Sequence, residues 1–95
     1  MRDYDENREF EAEVRRVAEA VWGLQAGECQ PQHYASSGPL TELDGLVRLR
    51  DVTHLIMATV SRKLDKVKDD VRKLDLAARA EAKRNIPVSR WFITK

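Results

Sequence analysis

The segment from Val52 to Val60 is the longest apolar stretch of the chain, and it limits the folds open to the sequence. It is far shorter than the roughly 18 apolar residues that a membrane span needs. Thr53, His54 and Thr59 interrupt it, so a buried strand explains it better than a helix does. Its near-continuous apolar character is typical of a strand at the centre of a sheet. We therefore expect a sheet with this segment at its centre.

The residues before this segment predict another strand that pairs with it. From Thr41 onward the hydrophobic period is two, as alternating residues on a strand require. Leu43, Val47 and Leu49 are expected on one face, and Glu42, Asp44, Leu46 and Arg48 on the other. Asp51 is a suitable turn residue, so the two strands are expected to form a hairpin.

The N-terminal part of the chain predicts an amphipathic helix from Asp5 to about Leu24. Its apolar residues, which recur three to four positions apart, are Phe10, Val14, Val17, Ala18 and Val21. Gly23 and Gly27 provide its end. A loop follows, typified by Gly38 and Pro39, and within it Gln32 to Ala35 could form a short strand.

A second helix and a last strand are predicted after the central strand. Ser61 is a reasonable N-cap, the helix extends toward Asn85, and Pro87 prevents its continuation. The stripe expected to cover the sheet consists of Leu64, Val67, Val71, Leu74 and Ala78. Aromatic and branched residues predict a strand from Val88 to Thr94. We therefore expect the 95 residues to form one α+β domain, with a small mixed sheet flanked by two main helices in the order α-β-β-β-α-β.

Charge and cysteine content narrow the classes of function. The formal net charge is only +1, but the first eleven residues are acidic on balance and the segment from Arg62 to Lys95 is basic. Steering of nucleic acid depends on such asymmetry rather than on total charge. The single cysteine, Cys29, has no internal disulfide partner, and no signal peptide pattern is visible. We interpret the chain as cytoplasmic and not associated with a membrane.

Acidic residues of the first predicted strand are candidate metal ligands. Glu42 and Asp44 share one face, and the following Gly45 allows another group or a backbone to approach closely. Cleavage of a phosphodiester with Mg²⁺ or Mn²⁺ needs hard oxygen ligands that hold the ion near the reacting phosphate. An aspartate before a glycine is, however, most often part of a turn.

In order along the chain, several motifs look like those of PD-(D/E)XK nuclease domains. They are Phe10-Glu11-Ala12-Glu13-Val14, Glu42-Leu43-Asp44-Gly45, His54-Leu55-Ile56-Met57-Ala58-Thr59, and Ser61-Arg62-Lys63 followed by Lys66, Asp70, Lys73 and Leu74. The ending Trp91-Phe92-Ile93-Thr94-Lys95 is similar to the strand that follows the second core helix. The chain resembles the restriction-endonuclease-like effector domains of bacterial defence proteins in particular.

The resemblance implies roles for individual residues. Asp44 would be the strand aspartate that binds Mg²⁺ or Mn²⁺, and Glu13, or secondarily Glu11, would be the carboxylate from the first helix. Glu42 would assist them. The motif's lysine falls at Thr59, and Lys66, with Lys63 as second choice, is the candidate that replaces it from the following helix.

Position 57 departs from the family's pattern, because Met57 stands where the second acidic residue is expected. A thioether is a soft, weak ligand and cannot replace a carboxylate on Mg²⁺. Three hypotheses stay open: a metal-dependent endonuclease acting on DNA, less so on RNA; a catalytically inactive nucleic-acid-binding or oligomerisation module; and a small interaction domain without a ligand.

The ending of the chain suggests further expectations about assembly. The resembled domain continues through another helix after its last strand, so we expect the domain to lack its C-terminal part. An open last strand also invites pairing, which favours a homodimer.

Overall fold

A computed structural model describes residues 2–35 and 40–95, with side chains described from residue 6 to 33 and from 42 to 95. Its elements are α1 (Arg2–Val21), β1 (Gln30–Ala35), β2 (Leu40–Leu49), β3 (Val52–Thr59), α2 (Leu64–Lys83) and β4 (Val88–Thr94). The predicted α+β class and the order α-β-β-β-α-β are confirmed. The predicted loop around Gly38 and Pro39 lies outside the described residues.

The four strands form one mixed sheet in the order β1-β2-β3-β4. β1 and β2 are antiparallel, as are β2 and β3, whereas β3 and β4 are parallel. A parallel pair needs a long crossover connection, and α2 provides it. β3 therefore has a strand on either side, in agreement with its apolar sequence.

The side chains of β3 alternate between two hydrophobic clusters on opposite faces of the sheet. Leu55 and Met57 pack with Leu74 and other residues of α2. Ile56 and Ala58 pack with Val14 of α1 on the other face. The sheet is thus covered by α2 on one side and by α1 on the other. Neither described helix has the length and apolar content that crossing a bilayer requires.

The β2–β3 hairpin has a two-residue turn made of Arg50 and Asp51, whose φ angles are 54° and 66°. Two successive positive φ angles are the signature of a type I′ turn, whose twist suits that of the strands. Leu49 and Val52 pair directly across it. The predicted turn at Asp51 is therefore present.

β2 carries one residue more than its neighbour β1 between two points of pairing. Gln30 pairs with Leu46 and Gln32 pairs with Leu43. One residue of β1 lies between these two pairs, whereas two residues of β2 do. This β-bulge falls at Asp44 and Gly45. It places Leu43 and Leu46 in the same cluster, under α2, while Val47 packs on the α1 face. The prediction that Leu43 shares a face with Val47 is therefore wrong.

The face of α2 that contacts the sheet also differs from the predicted stripe. Leu64 is 63% exposed and Val71 is 47% exposed. The buried residues of the helix are Asp70, Leu74, Ala77, Ala78 and Glu81. Small alanines let the backbone of α2 approach the sheet, and two of the inward-facing residues are acidic. A search for large apolar residues therefore finds only one edge of the face that contacts the sheet.

No side chain caps the N-terminus of α2, and backbone hydrogen bonds complete its C-terminus. Lys63, rather than Ser61, is the N-cap residue, and the Ser61 hydroxyl accepts a hydrogen bond from the Lys63 N–H at 3.2 Å. At the other end Asn85 has a φ of 59°, and its N–H donates to the Ala82 carbonyl. The Ile86 N–H donates to the Glu81 carbonyl, which completes a Schellman motif. Pro87 follows, as predicted.

The orientation of α2 can be tested by comparing two truncations. Leu74→Ala removes methyl groups from the core and should lower the free energy of unfolding by about 2–5 kcal/mol. Val71→Ala, three residues earlier on the exposed side, should lower it by about 0.5 kcal/mol or less. Urea denaturation measures both, and equal losses would contradict the observed orientation.

Candidate functional site

A polar cleft lies at the level of Asp44, between α1 and the N-terminal half of α2. Its volume is about 370 Å³. It is lined by Asn7, Arg8, Glu11, Arg15, Pro31, Glu42, Asp44, Met57, Lys66 and Lys73. Three of these side chains are carboxylates and four are cationic. The cleft thus presents both signs of charge in one cavity.

The Asp44 carboxylate occupies the point where the β2–β3 ladder stops. The register of these strands extends from Leu49↔Val52 as far as Gly45↔Ile56. One residue beyond, Oδ2 of Asp44 accepts a hydrogen bond from the Ala58 N–H at 2.8 Å. A side chain therefore replaces the backbone acceptor, and this contact fixes Asp44 at the cleft.

Gly45 permits the close packing beside Asp44. A Cβ atom at this position would lie 3.1 Å from Cys29 Sγ and 3.2 Å from Ile56 Cδ1. The predicted close approach of another group to Gly45 is therefore found, and the approaching groups are side chains of the core. The buried Cys29 is one of them, which gives it a structural explanation.

α1 presents a row of polar side chains toward the cleft and the loop that follows the helix. The row consists of Asn7, Glu11, Arg15 and Glu19, each four residues from the next. Residues at this spacing share one side of a helix. Glu19 at the end of the row accepts hydrogen bonds from the N–H groups of Gly27 and Cys29, both at 2.9 Å.

Asn7 and Arg15, one turn before and one turn after Glu11, connect α1 to the sheet. Asn7 Oδ1 accepts a hydrogen bond from the Val60 N–H at 3.0 Å, and its Nδ2 donates to Glu11. Arg15 donates to the Asp44 carbonyl oxygen at 2.9 Å. These contacts tie the row to β2 and to the end of β3.

The structure brings Glu11, and not Glu13, to Asp44. Glu11 and Asp44 line the same cleft, and they are close enough for each carboxyl group to shift the pKa of the other. Glu13 is exposed and lines a separate apolar groove with Phe10 and Val14. Two residues along a helix correspond to a rotation of about 200°, so Glu11 and Glu13 cannot face the same cleft. The expectation that Glu13 faces Asp44 is corrected accordingly.

Burial raises the pKa values of both carboxyl groups. Burial is the largest cause of the rise in the pKa of Glu11 to about 7, and the nearby Asp44 adds to it. Burial also raises the pKa of Asp44, although the Ala58 N–H and the hydrogen bond from Glu11 oppose the rise. With a pKa of about 7, Glu11 is protonated part of the time at neutral pH.

The other candidates divide between the cleft and its surroundings. Glu42 is exposed and lines the cleft. Met57 is buried and also lines it, so it lies in the same cavity as Asp44. Lys66 reaches the cleft from α2 and donates to Asp70 at 2.6 Å. Lys63, the second-choice lysine, is exposed and lines a different groove.

The donor chemistry of the cleft suits a hard divalent cation. Among the described residues there is no group of three or more histidine, cysteine or acidic side chains arranged to hold a metal. Mg²⁺, however, is usually bound through one or two carboxylates together with substrate phosphates, and it keeps several waters. Asp44 and Glu11 fit this requirement, and the Met57 thioether does not add to it.

Comparisons with protein-family models, curated proteins and solved structures find no match to this chain.

Sequence reasoning missed Asn7 and Arg15 as parts of the site. Both could have been found, because polar residues at positions 7, 11, 15 and 19 repeat every four residues on the side of α1 opposite Glu13.

The raised pKa of Glu11 predicts how the stability of the fold depends on pH. Because the pKa of Glu11 is raised, the folded state binds more protons than the unfolded state between pH 4.5 and about 7. This stabilising contribution is complete below pH 4.5 and is lost as the pH rises through about 7. Glu11→Gln should therefore lose less thermal stability than the original protein between pH 5 and pH 8.

Thermal unfolding at both pH values provides the measurement. In a domain of this size, a change of 1 kcal/mol in the free energy of unfolding shifts the melting temperature by roughly 4–8 °C, which is readily detected. Glu13→Gln is the matched control and should keep the original pH dependence. Identical behaviour of the two variants would show that Glu11 does not hold the extra proton.

Proposed function

We propose that this chain is a metal-dependent nuclease domain that cleaves phosphodiester bonds of DNA, and less so of RNA. The observation that carries the proposal is the convergence of the Asp44 and Glu11 carboxyl groups in a cleft that four cationic side chains also line. Carboxylates suit a divalent cation, and the surrounding cations suit the phosphates of a nucleic-acid backbone.

Asp44 and Glu11 would hold Mg²⁺ or Mn²⁺, with Glu42 close enough to contribute at the rim of the cleft. The ion supplies Lewis-acid stabilisation of the phosphate and lowers the pKa of a bound water. Glu11 has to release its proton to act as a ligand, so binding of the ion and loss of that proton are coupled. This coupling makes metal binding stronger as the pH rises toward about 7, and the effect levels off above that value.

The cationic residues would bind the substrate. Arg15 is fixed to the Asp44 carbonyl, and Lys66 is fixed to Asp70, so both present their charge from defined positions. Phosphate contacts of this kind orient a nucleic acid but do not read its sequence. Lys66 takes the place of the motif's lysine, and its ammonium group would stabilise the charge that develops on the phosphate.

The resemblance to effector domains of bacterial defence proteins extends the proposal. It favours a cytoplasmic role in defence, where a nuclease acts on invading DNA. β4 is at the edge of the described sheet, and pairing of two such edges would create a homodimer with two clefts. A dimer suits cleavage of both DNA strands.

A second candidate function is a catalytically inactive module that binds nucleic acid or supports oligomerisation. Met57 favours it, because a buried thioether stands in the cleft where the resembled family has a carboxylate. Such a module would keep the cationic side chains and bind DNA without cutting it.

Plasmid cleavage in the presence of Mg²⁺ or Mn²⁺ separates the two functions. For a nuclease, we expect cleavage that requires the divalent cation and that Asp44→Ala and Glu11→Gln reduce to background. Glu13→Gln should cleave as well as the original protein, because this side chain lies outside the cleft. DNA binding without any cleavage would instead favour the inactive module.

Met57→Glu tests whether position 57 belongs to the metal site. Without metal, the new carboxylate is buried beside Asp44 and should destabilise the domain by a few kcal/mol. Mn²⁺ should restore the lost stability and strengthen cleavage, since a further hard ligand raises the affinity for the ion. Thermal unfolding with and without Mn²⁺ measures the effect.

Leu55→Glu is the matched control for this test. Leu55 lies on the same strand and in the same hydrophobic cluster as Met57, but it does not line the cleft. It should be destabilised to a similar extent and gain nothing from Mn²⁺. A Met57→Glu variant that is equally indifferent to the ion would contradict the proposed metal site.

A further inference from the structure

The hairpin end of the sheet carries a second charged surface, separate from the cleft. Its centre is Glu81 of α2, whose side chain is fully buried. Oε1 of Glu81 accepts a hydrogen bond from Nη2 of Arg48 at 3.0 Å, and Oε2 lies 3.9 Å from Nη1 of Arg84. One buried carboxylate therefore holds two arginine side chains, one from β2 and one from the end of α2.

Both arginines keep most of their capacity to bind a ligand. The side chain of Arg48 is 50% exposed and that of Arg84 is 62% exposed. A guanidinium group has five N–H donors in a fixed planar fork. Among the described residues, the Arg48 guanidinium donates to Glu81 alone and through a single nitrogen. Its remaining N–H groups are therefore available to an acceptor from outside the chain.

A pocket beside the β2–β3 turn adds a third cation to this surface. Its volume is about 450 Å³, and Arg48, Arg50 and Asn85 line it together with one carboxylate, that of Asp51. Arg50 and Asp51 are both exposed. With Arg84 included, three arginines face one exposed carboxylate and the buried Glu81, so the surface is cationic on balance.

These arginines lie on the same side of α2 as a lysine of the cleft. Lys73, which lines the cleft, is followed at four-residue intervals by Ala77 and Glu81, so the three share one side of the helix. The distance from Lys73 to Glu81 along α2 is about 12 Å. From Asp44 to Arg48 along β2 it is about 13 Å. Ala77 places no bulky side chain between the two surfaces.

This spacing suits the backbone of a nucleic acid. Successive phosphates of one DNA strand are about 3.4 Å apart along the helix axis, so the separation corresponds to roughly four nucleotides. The planar fork of arginine also matches the oxygens of a phosphate. Arg84 would in addition offset the dipole at the C-terminus of α2, but that explanation does not extend to Arg48, which belongs to a strand.

We propose that Arg48 and Arg84, held by Glu81, form a phosphate-binding surface for the nucleic-acid strand that occupies the cleft. They would contact its backbone roughly four nucleotides from the cleft, with Arg50 contributing from the turn. The inference rests on the proposed function, because it presupposes a nucleic acid in the cleft. Contacts of this kind orient the strand and carry no sequence preference.

Fluorescence anisotropy with a labelled DNA duplex tests the surface, in the presence of EDTA so that nothing is cleaved. A duplex of about 12 base pairs is long enough to span both surfaces. One phosphate contact changes log K by about 0.9 for a tenfold change in salt, so Arg48→Gln or Arg84→Gln should weaken binding roughly eightfold at about 0.1 M salt. The slope of log K against log salt should fall by about 0.9.

Arg79→Gln is the matched control. Arg79 is on the same helix, is 73% exposed and pairs with Asp75, but it lies on another side of α2. This variant loses the same charge and should keep the original affinity and salt slope. If Arg48→Gln and Arg84→Gln bound DNA like Arg79→Gln, the inference would be overturned, while DNA binding and cleavage by the original protein would leave the proposed function in place. An original protein that neither bound nor cut DNA would refute both.

Inorganic phosphate, titrated alone, separates a nucleic-acid strand from a free anion as the ligand. Phosphate binding that Arg84→Gln abolishes, together with unchanged DNA binding, would contradict the assignment to a nucleic acid.

A measurement on the unmodified protein covers the case in which Arg48→Gln does not fold. The side-chain Nε–H resonances of Arg48 and Arg84 should shift when the duplex is added in EDTA, and those of Arg72 and Arg79 should not. Shifts that include Arg15 in the cleft but neither Arg48 nor Arg84 would refute the phosphate-binding surface.

Discussion

The extra residue that β2 carries between Leu43 and Leu46 is the constraint on which the cleft depends. It lies in the pairing of β1 with β2, directly beside Gly45, where the β2–β3 ladder stops. With it, Leu43 turns toward α2, Gly45 admits Cys29 and Ile56, and Asp44 accepts the hydrogen bond from Ala58. Bulges next to functional sites commonly redirect side chains in this way.

The electrostatics of the cleft follow from where its charges originate. Glu11 comes from a helix on one face of the sheet, Asp44 from a central strand and Lys66 from a helix on the other face. No single element determines the balance, since Arg15 and Lys66 approach from different sides to offset the carboxylates. Three carboxylates and four cationic side chains therefore share one cleft, and their balance depends on the packing of both helices against the sheet.

Much of the architecture followed from hydrophobic periodicity, and the site followed less well. The hairpin, both helices and the last strand were predictable because each has a clear period or a clear terminator, such as Pro87. The bulge was not, since one extra residue leaves no mark on a strand pattern except a glycine. Glu13 lies beside the apolar stripe of α1, which favours it as the inward carboxylate. The helix has a second, polar side that also faces inward, and Glu11 lies on that side. Leu64 and Val71 belong to the apolar stripe of α2 but are exposed, because alanines and two acidic residues form much of the face that contacts the sheet.

The topology also determines when the site exists during folding. β2 and β3 are joined by a two-residue turn and can pair early, because closing so short a loop costs little entropy. β4 pairs with β3 only after the whole of α2 has been traversed. A chain in which only α1 and the hairpin have formed therefore has Glu11 and Asp44 in place but not Lys66. All the side chains of the cleft come together only when β4 pairs with β3 and α2 packs on the sheet. The complete cleft is thus a property of the fully folded chain and of no shorter stretch of it.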